Sequence, residues 1–265
     1  MTKSSGTILA GNSRPEGRGA GTGLRKLTDF KALTFDCYGT LIDWETGLYA
    51  ALQPLLKRGG VTLKREEVLA AYARHEAAQE ATTPQMIYSE LLAEVHRRLA
   101  REWHVSDDEQ EAIAFGKSVP DWPAFPDTAA SLQYLQRYYK LVILSNVDRD
   151  SFAGTNPKLG VAFDAICTAQ DIGSYKPDPR NFAYAITKVA ELGVLKRQLL
   201  HTAQSLFHDH APAQAAGLSS AWVDRRHLME GWGATVPPEG TPKFDFRFPS
   251  MADMVKAHQA ELQGR

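Results

Sequence analysis

The fold is decided by the stretch Lys31-Ala32-Leu33-Thr34-Phe35-Asp36-Cys37-Tyr38-Gly39-Thr40. Residues 32–35 are apolar or favour β-structure, and they run directly into a carboxylate followed by a glycine-containing loop. A short apolar run that stops at such a loop is typical of a buried strand leading into a tight turn. We therefore predict that Asp36 lies at the carboxyl end of an inner strand.

Four later segments have the same strand character, and helical patterns separate them. The predicted strands are 141–144, 163–167, 199–203 and 220–223. Apolar residues recur at helical spacing at Leu132, Leu135 and Tyr138, and again at Phe182, Ile186, Val189 and Leu192. Alternating strands and helices predict an α/β fold whose parallel sheet is covered on both faces. Ligands of such sheets bind beyond the carboxyl ends of the strands.

Residues 46–120 interrupt this alternation, because they contain helical patterns and no good strand. One amphipathic helix is indicated by apolar residues at Met86, Ile87, Leu91, Val95 and Leu99. The run Ser106-Asp107-Asp108-Glu109 is typical of a capping box that opens another helix. We predict a helical cap inserted after the first strand, with residues 28–45 and 121–265 forming the core domain.

Composition excludes several classes of function. The chain has 265 residues, and its 30 Lys+Arg against 31 Asp+Glu leave a net charge of −1. No basic field exists to hold nucleic acid or a membrane surface, so neither partner is expected. No apolar run approaches the roughly 18 residues of a spanning helix. Two cysteines, Cys37 and Cys167, indicate a reducing, cytoplasmic setting without a disulfide framework.

Residues 1–27 do not have the pattern of a folded segment. Six glycines and three serines lie between Met1 and Gly23, with almost no apolar periodicity. We interpret this segment as a disordered leader and leave open whether it belongs to the native protein. An excess of arginine over acidic residues offers organelle targeting as the weaker alternative.

Polar residues follow several of the apolar runs. Asp36, Ser145-Asn146, Lys176 and Asp209 would converge at one edge of the sheet if the strands are parallel neighbours. A lysine ammonium beside a carboxylate keeps that carboxylate ionised and offsets charge that develops during reaction. This combination suits nucleophilic catalysis by an aspartate.

Four segments, taken in order, carry a family resemblance. The stretch 35–43 resembles the first motif of the haloacid dehalogenase superfamily, and Leu144-Ser145-Asn146 resembles the second. The run Tyr175-Lys176-Pro177-Asp178-Pro179 resembles the third motif, and the segment around Asp209 the fourth. The resemblance covers residues 28–258 and implies a Rossmann-like core with a cap inserted after the first strand.

Two positions favour one branch of this superfamily. Tyr38 stands where its phosphatases usually carry an aspartic acid that protonates the leaving oxygen. The Asp-x-Tyr-Gly-Thr form resembles type II 2-haloacid dehalogenases, and a halide leaves without protonation. Gln204 stands where phosphatases place another acid. Because Asp36 and Asp209 alone would bind Mg²⁺ poorly, we expect chemistry without metal or other cofactor.

The resemblance implies a role for each matching residue. Asp36 would attack the α-carbon and form an ester, while Lys176 keeps it charged and Thr40 hydrogen-bonds around it. Asp209 would position or deprotonate the water that hydrolyses the ester. Ser145, with backbone amides after Asp36, would receive the substrate carboxylate.

Further residues are predicted to bind substrate. Asn146 lies where dehalogenases cradle the halide, and Arg74 falls where they carry a halide-binding arginine, a type of side chain that stays charged. Tyr38, two residues after the nucleophile, is also predicted to bind substrate. His208 is expected to supply a proton or an N–H donor near the water or leaving group. A zinc site at His208 and His210 is disfavoured because no further ligands accompany them.

Departures from the family pattern leave the substrate open. Gln204 and Leu206 replace a serine and an asparagine, Phe182 replaces a tyrosine, and His208 replaces a bulky aromatic residue. The favoured prediction is an (S)-2-haloacid dehalogenase that gives the 2-hydroxy acid from a small carboxylic acid.

Three alternatives remain beside this prediction. The first is the same chemistry on another 2-substituted acid such as azetidine-2-carboxylate. The second is a Mg²⁺-dependent phosphatase, and the third is a catalytically silent binding protein. Because relatives of this family are often dimers, a homodimer is also left open.

Overall fold

The protein contains one parallel sheet at its centre. The computed structural model describes residues 25–264. The strands are β1 Ala32–Phe35, β2 Lys140–Ser145, β3 Ala165–Thr168, β4 Leu199–Ala203, β5 Ser219–Val223 and β6 Phe246–Phe248. Their order across the sheet is β3-β2-β1-β4-β5-β6, and every neighbouring pair is parallel. The predicted α/β class with a parallel sheet is confirmed.

Helices precede and follow these strands. Those within the described residues are α1 Trp44–Ala51, α2 Gln53–Arg58, α3 Arg65–Thr82, α4 Tyr88–Glu102, α5 Glu109–Gly116, α6 Thr128–Leu135, α7 Arg149–Thr155, α8 Ala169–Ile172, α9 Pro179–Glu191, α10 Ala211–Ala215 and α11 Met251–Gln263. Short 3₁₀ turns lie at Leu27–Asp29, Val119–Asp121, Asn156–Leu159 and Lys196–Gln198, and a π-helical turn lies at Leu206–His210. No helix of residues 25–264 is both long enough and apolar enough to cross a membrane.

Strand β1 shows why the sheet is buried on both faces. Successive side chains of a strand point to opposite faces. Accordingly, Leu33 and Phe35 pack in one apolar cluster with Met254 of α11. Ala32 packs in a second cluster with Val189 of α9. Helices cover both faces, so the strand is buried throughout, and the charged residue Asp36 follows only at the sheet edge.

The segment between β1 and β2 is helical, with α1 to α5 and no strand in residues 44–116. Helix α4 packs against α3 on one side and α5 on the other. The expected capping box of α5 is wrong in its first residue: the N-cap is Asp108, whose carboxylate accepts the backbone N–H of Glu111. Ser106 instead accepts hydrogen bonds from Arg58. The division into cap and core at these boundaries stays a prediction.

Two further differences concern the ends of the chain. Strand β6 was not predicted, because it has only three residues, Phe-Arg-Phe, and pairs on one side only. Of the predicted leader, residues 1–24 lie outside the described residues. Leu27, however, is buried, and its carbonyl accepts a hydrogen bond from the Tyr139 hydroxyl at 2.9 Å. Leu27, which the prediction assigned to the disordered leader, is therefore part of the packed structure.

Candidate active site

Polar side chains meet where the central strands end. Asp36 directly follows β1, Ser145 is the last residue of β2, and Asp209 lies in the π-helical turn after β4. Strands β1, β2 and β4 are adjacent, so their carboxyl ends reach the same edge of the sheet. Lys176, in the loop between α8 and α9, extends into this group. The four residues that the motifs single out thus share one site.

Lys176 is the centre of the site. Its side chain is 1% exposed. The ammonium donates to Asp36 Oδ1 at 2.9 Å, to Asp209 Oδ1 at 2.7 Å and to the Leu144 carbonyl at 3.1 Å. An ammonium has three N–H donors, so every donor has a partner. A buried charge is tolerated only when it is paired and hydrogen-bonded in this way.

The two carboxylates have different electrostatic environments. Burial raises the pKa of Asp36, and the Lys176 ammonium offsets this only in part. Burial acts in the same direction on Asp209, but there Lys176 and His201 outweigh it and hold the pKa well below its usual range. The carboxylates of Asp209 and Asp36 outweigh the opposing effect of burial and raise the pKa of Lys176. Asp209 and Lys176 are therefore ionised at neutral pH.

Asp36 is fixed through both of its oxygens. Lys176 holds Oδ1, and the Thr40 hydroxyl donates to Oδ2 at 2.7 Å. Thr40 is itself oriented by the backbone N–H of Gln204, which donates to its hydroxyl oxygen at 2.9 Å. The turn between them contains Gly39 at φ +95°, a conformation that side chains with a Cβ rarely adopt. The glycine of the motif thus allows Thr40 to return to the carboxylate.

His201 is a site residue that the sequence analysis missed. It lies within β4 and is fully buried, with Nε2 3.0 Å from Asp209 Oδ1 and Nδ1 2.9 Å from the Thr34 hydroxyl. Thr34 faces it across the sheet in register. The only signal in the sequence is weak: a histidine stands inside the predicted strand Leu-Leu-His-Thr-Ala, where a buried residue is expected. It holds Asp209 in place.

Two buried oxygen atoms at the site have no partner. Ser145 Oγ and Asp209 Oδ2 form no hydrogen bond with any group of residues 25–264. Both residues are 1% exposed and line one cavity of about 40 Å³ together with Asp36 and Lys176. Unpaired polar atoms at such a position are costly unless a ligand or water satisfies them. These atoms are available to a substrate and to an attacking water.

The predicted substrate-binding residues have different positions. Asn146 lines the cavity, but both atoms of its side-chain amide already have protein partners. Its Oδ1 accepts a hydrogen bond from the Lys176 backbone N–H at 2.7 Å, and its Nδ2 donates to the Lys176 carbonyl and to Glu80. Tyr38 also lines the cavity, and its hydroxyl donates to Thr155 at 2.9 Å. His208 also lines the cavity, and its Nε2 lies 3.6 Å from Glu80 Oε2.

A family model described as haloacid dehalogenase-like hydrolase matches residues 30–217. This chain belongs to that family of hydrolases. The matched region includes the residues that meet at the sheet edge, from Asp36 to Asp209.

Individual relatives agree with this assignment. (S)-2-haloacid dehalogenase 4A of Burkholderia cepacia is 24% identical over 204 residues, which are 74% of this chain and 84% of that protein. The structure of L-2-haloacid dehalogenase PA0810 has a TM-score of 0.70 at 23% identity, covering 86% of this chain and 98% of its own. The L-2-haloacid dehalogenase of Xanthobacter autotrophicus, with chloropropionic acid covalently bound, has a TM-score of 0.65 at 20% identity, covering 87% and 98%. At these identities the structures show a shared fold.

The position of Arg74 in this haloacid dehalogenase-like hydrolase does not agree with its expected role. Its side chain is 61% exposed and pairs with Glu102 at 2.9 Å, and it does not line the cavity. On helix α3 the residues at Tyr72, Glu76 and Glu80 share the buried face, because residues four apart lie above one another. Arg74 is two residues from Tyr72 and therefore faces away.

The same helix supplies two carboxylates that the sequence analysis did not single out. Glu76 and Glu80 are buried and line the cavity. Glu76 Oε1 accepts from the hydroxyls of Tyr72 at 2.6 Å and Tyr88 at 2.7 Å. Burial, together with the neighbouring Glu80, raises the pKa of Glu76 to about 7. The sequence signal for them is their spacing: Glu76 and Glu80 follow Tyr72 at intervals of four residues, which places all three on one face of a helix.

The donor set does not fit a divalent metal ion. Asp36 and Asp209 both direct an oxygen at the Lys176 ammonium, and the further ligand positions of the motifs hold Tyr38 and Gln204. Mg²⁺ in proteins takes several oxygen ligands in near-octahedral geometry. No group of three or more His, Cys, Asp or Glu side chains within residues 25–264 is arranged to hold a metal. Chemistry without a metal stays a prediction.

Proposed function

We propose that this haloacid dehalogenase-like hydrolase acts at C2 of small 2-substituted carboxylic acids, through an ester formed on Asp36 and without a metal ion. One observation carries the proposal: the Asp36 carboxylate is buried and held by Lys176 at 2.9 Å and Thr40 at 2.7 Å beside the unpaired Asp209 oxygen. A nucleophile, a charge that supports it and a water-positioning group are then side by side.

The first step forms the ester. An Asp36 carboxylate oxygen attacks C2 from the side opposite the leaving group, and the electron pair of the breaking bond departs with that group. The configuration at C2 inverts. Lys176 stabilises the carboxylate before attack and remains charged during the step, since all three of its protons are held by acceptors.

The second step returns the enzyme to its starting state. Water attacks the ester carbonyl carbon of Asp36, and the bond from that carbon to the substrate oxygen breaks; one proton of the water ends on that oxygen and the other is released to solvent. The product is a 2-hydroxy acid whose new oxygen comes from Asp36. Asp209 Oδ2 is free to accept a hydrogen bond from the water. Because its pKa is low, Asp209 acts chiefly by orienting the water, and His201 holds Asp209 in turn.

The substrate class rests on the relatives and on Ser145. The relatives are named for 2-haloacids, and the one from Xanthobacter autotrophicus is described with chloropropionic acid covalently bound. Ser145 Oγ is the proposed donor to the substrate carboxylate. With Arg74 turned away, His208 is the candidate donor to a departing halide. Burial disfavours its charge, but Glu80 outweighs this and raises the pKa of His208.

The test is a single turnover in ¹⁸O-water with excess enzyme and each enantiomer of 2-chloropropionate. The label should appear first in the peptide that contains Asp36, as measured by mass spectrometry. Asp36→Asn serves as the control that should fold normally and neither turn over nor take up label. Label that enters the product directly, with Asp36 unlabelled, would contradict the ester.

The rival functions give different results in matched assays. Hydrolysis of a phosphate ester that disappears with EDTA and returns with Mg²⁺ would favour a phosphatase. Absence of turnover on every 2-substituted acid, together with tight binding of one, would favour a silent binding protein. Either result would overturn the proposal.

A further inference from the structure

Glu80, near the end of α3, is buried against the loop that follows β2. The residue is 6% exposed, and its Oε1 accepts a hydrogen bond from Asn146 Nδ2 at 3.0 Å. Its Oε2 lies 3.6 Å from His208 Nε2. In the ester mechanism Glu80 acts only on His208, so its hydrogen bond with Asn146 has no assigned role.

The Asn146 carboxamide holds Lys176 by its main chain. Asn146 Oδ1 accepts from the Lys176 backbone N–H at 2.7 Å, and Nδ2 donates to the Lys176 carbonyl at 3.0 Å. A side-chain amide has two N–H donors, and the second of them goes to Glu80. Both main-chain groups of Lys176 are therefore fixed beside the end of β2.

Glu80 determines which way round the carboxamide sits. An ionised carboxylate accepts hydrogen bonds and cannot donate them, so the group of Asn146 that faces Glu80 is the NH₂. That orientation leaves Oδ1 for the Lys176 N–H. Without Glu80, one Nδ2 proton of this half-buried residue would lose its partner, which costs free energy and loosens the carboxamide.

The main-chain position of Lys176 matters because its ammonium is fully used. Nζ donates to Asp36 at 2.9 Å, to Asp209 at 2.7 Å and to the Leu144 carbonyl at 3.1 Å. Hydrogen bonds weaken steeply away from such geometry, so a shift of the main chain weakens at least one of the three. A displacement of about 1 Å at a catalytic group can lower a rate about 100-fold.

The helical segment also contacts these loops at two neighbouring points. The hydroxyl of Tyr175, the residue before the catalytic lysine, donates to the Met86 carbonyl. The backbone N–H of Ser89 donates to Asp148 Oδ2, in the loop after β2, at 2.9 Å. The contact of Glu80 differs from these two, because the nitrogen it binds also bonds the catalytic lysine.

We propose that Glu80 is a positioning residue for Lys176 and acts through the Asn146 carboxamide. The docking of α3 at the sheet edge then sets the alignment of the ammonium with Asp36. The effect on rate rests on the proposed Asp36 ester, whereas the effect on the lysine itself does not require a reaction.

Two variants separate the hydrogen bond of Glu80 from its charge. Glu80→Gln removes the charge and keeps an oxygen that can accept from Asn146 Nδ2, whereas Glu80→Leu removes both. In single turnovers with 2-chloropropionate, Glu80→Leu should slow ester formation on Asp36 by about 10- to 100-fold, and Glu80→Gln by less than about fivefold. The lost charge beside His208 is the same in both variants and cancels in the comparison. Glu90→Leu, which removes an exposed carboxylate of α4, is the control and should leave the rate unchanged.

A double-mutant cycle tests whether Glu80 acts through Asn146. Asn146→Ala should itself slow ester formation, because Lys176 loses both main-chain partners. Adding Glu80→Leu to Asn146→Ala should then slow the step by less than about threefold more, since the contact is already absent. Two effects that multiply in full would show that Glu80 acts by another route and would overturn the proposal. Circular dichroism verifies that each variant is folded.

A spectroscopic measurement follows Lys176 without any reaction. Protons held in buried hydrogen bonds exchange slowly with water, so this ammonium should give a proton–nitrogen correlation signal, assigned by its loss in Lys176→Met. The signal should keep its position in Glu80→Gln and shift or broaden in Glu80→Leu. An unchanged signal in Glu80→Leu, or the same change in both variants, would overturn the positioning role.

The results separate the two proposals. A Lys176 signal that responds to Glu80→Leu alone, in a protein that forms no Asp36 ester with any 2-substituted acid, would support the positioning role and refute the ester. Ester formation at equal rates in the native enzyme and both Glu80 variants would overturn the positioning role and leave the ester standing. Equal slowing in the two variants would assign the effect to the charge of Glu80 and would also overturn the role.

Discussion

Lys176 Nζ lies 2.9 Å from Asp36 Oδ1, and both groups are buried away from solvent. The pair joins a loop after α8 to the end of β1, segments 140 residues apart in the chain. Because burial alone would neutralise either group, each depends on the other for its charge. Stability and chemistry are therefore coupled at this contact.

Replacing the ammonium should affect both properties. Lys176→Met is expected to lower turnover at least about 1,000-fold and to reduce the free energy of unfolding by about 3–5 kcal/mol, because two carboxylates lose their shared cation. Urea denaturation and single-turnover kinetics measure the two effects. Lys188→Met, which removes a lysine paired with Glu191 at the surface, should change little. Full activity of Lys176→Met would contradict the assigned role.

His201 should affect the second step more than the first. His201→Phe removes the hydrogen bond to Asp209 at 3.0 Å, so the water that attacks the ester loses its orientation. We expect the Asp36 ester to accumulate, seen as a mass increase in enzyme quenched during turnover. The rate of ester formation should change less than about fivefold, whereas hydrolysis slows by about 10- to 100-fold, the effect of one hydrogen bond to a charged group. Equal slowing of both steps would indicate a merely structural residue.

Arg74 should be dispensable. Arg74→Ala removes an exposed ion pair with Glu102, which contributes at most about 1 kcal/mol to stability. We expect kcat/KM on any active 2-substituted acid to stay within about twofold of the native value. Steady-state kinetics decide the point, and a loss of 100-fold would show that Arg74 reaches the substrate after all.

Glu76 should make stability depend on pH near neutrality. Its pKa is raised from 4.5 to about 7, so the folded protein holds this proton more tightly than the unfolded chain does. The free energy of unfolding should therefore fall as pH rises from about 4.5 to about 7, by up to about 3 kcal/mol, and level off above. The titratable groups that face Glu76 are Tyr72, Tyr88, Glu80 and His208.

The variant Glu76→Gln tests whether Glu76 lowers the stability of the protein as the pH rises. Glu76→Gln keeps an acceptor for the two tyrosine hydroxyls and removes the titrating group, so its stability relative to the native protein should improve between pH 4.5 and 7. Denaturation curves at a series of pH values measure this. The exposed Glu102→Gln should follow the native curve, and a Glu76→Gln curve that does the same would refute the raised pKa.

The sheet and its edge could be predicted from the sequence for a simple geometric reason. Parallel neighbours end at the same edge, so strand-end residues such as Asp36 and Ser145 must meet once the strands are located. The strands can be located because buried parallel strands are largely continuous apolar runs, as residues 141–144 of β2 are. Strand β6 has no such run, and its pairing depends on a long connection after β5.

The cavity-lining residues of α3 could not be predicted from strand positions. Which face of that helix meets the sheet edge is set by how α3 packs on the rest of the chain, and a helix rotates each successive residue by about 100°. A displacement of two residues therefore separates Arg74 at the surface from Glu76 in the cavity. His201 was missed for a different reason, since its partner Thr34 is adjacent only across the sheet.

Because all three protons of the Lys176 ammonium are hydrogen-bonded, its chemical reactivity should differ from that of surface lysines. Reagents that acylate or reductively alkylate amines need a free electron pair on nitrogen, and Lys176 has none to offer while its three protons are shared among Asp36, Asp209 and the Leu144 carbonyl. It should escape such labelling in the intact protein and become reactive only when the chain opens. The rate at which Lys176 is modified, measured by peptide mapping, would then report the rate of global unfolding.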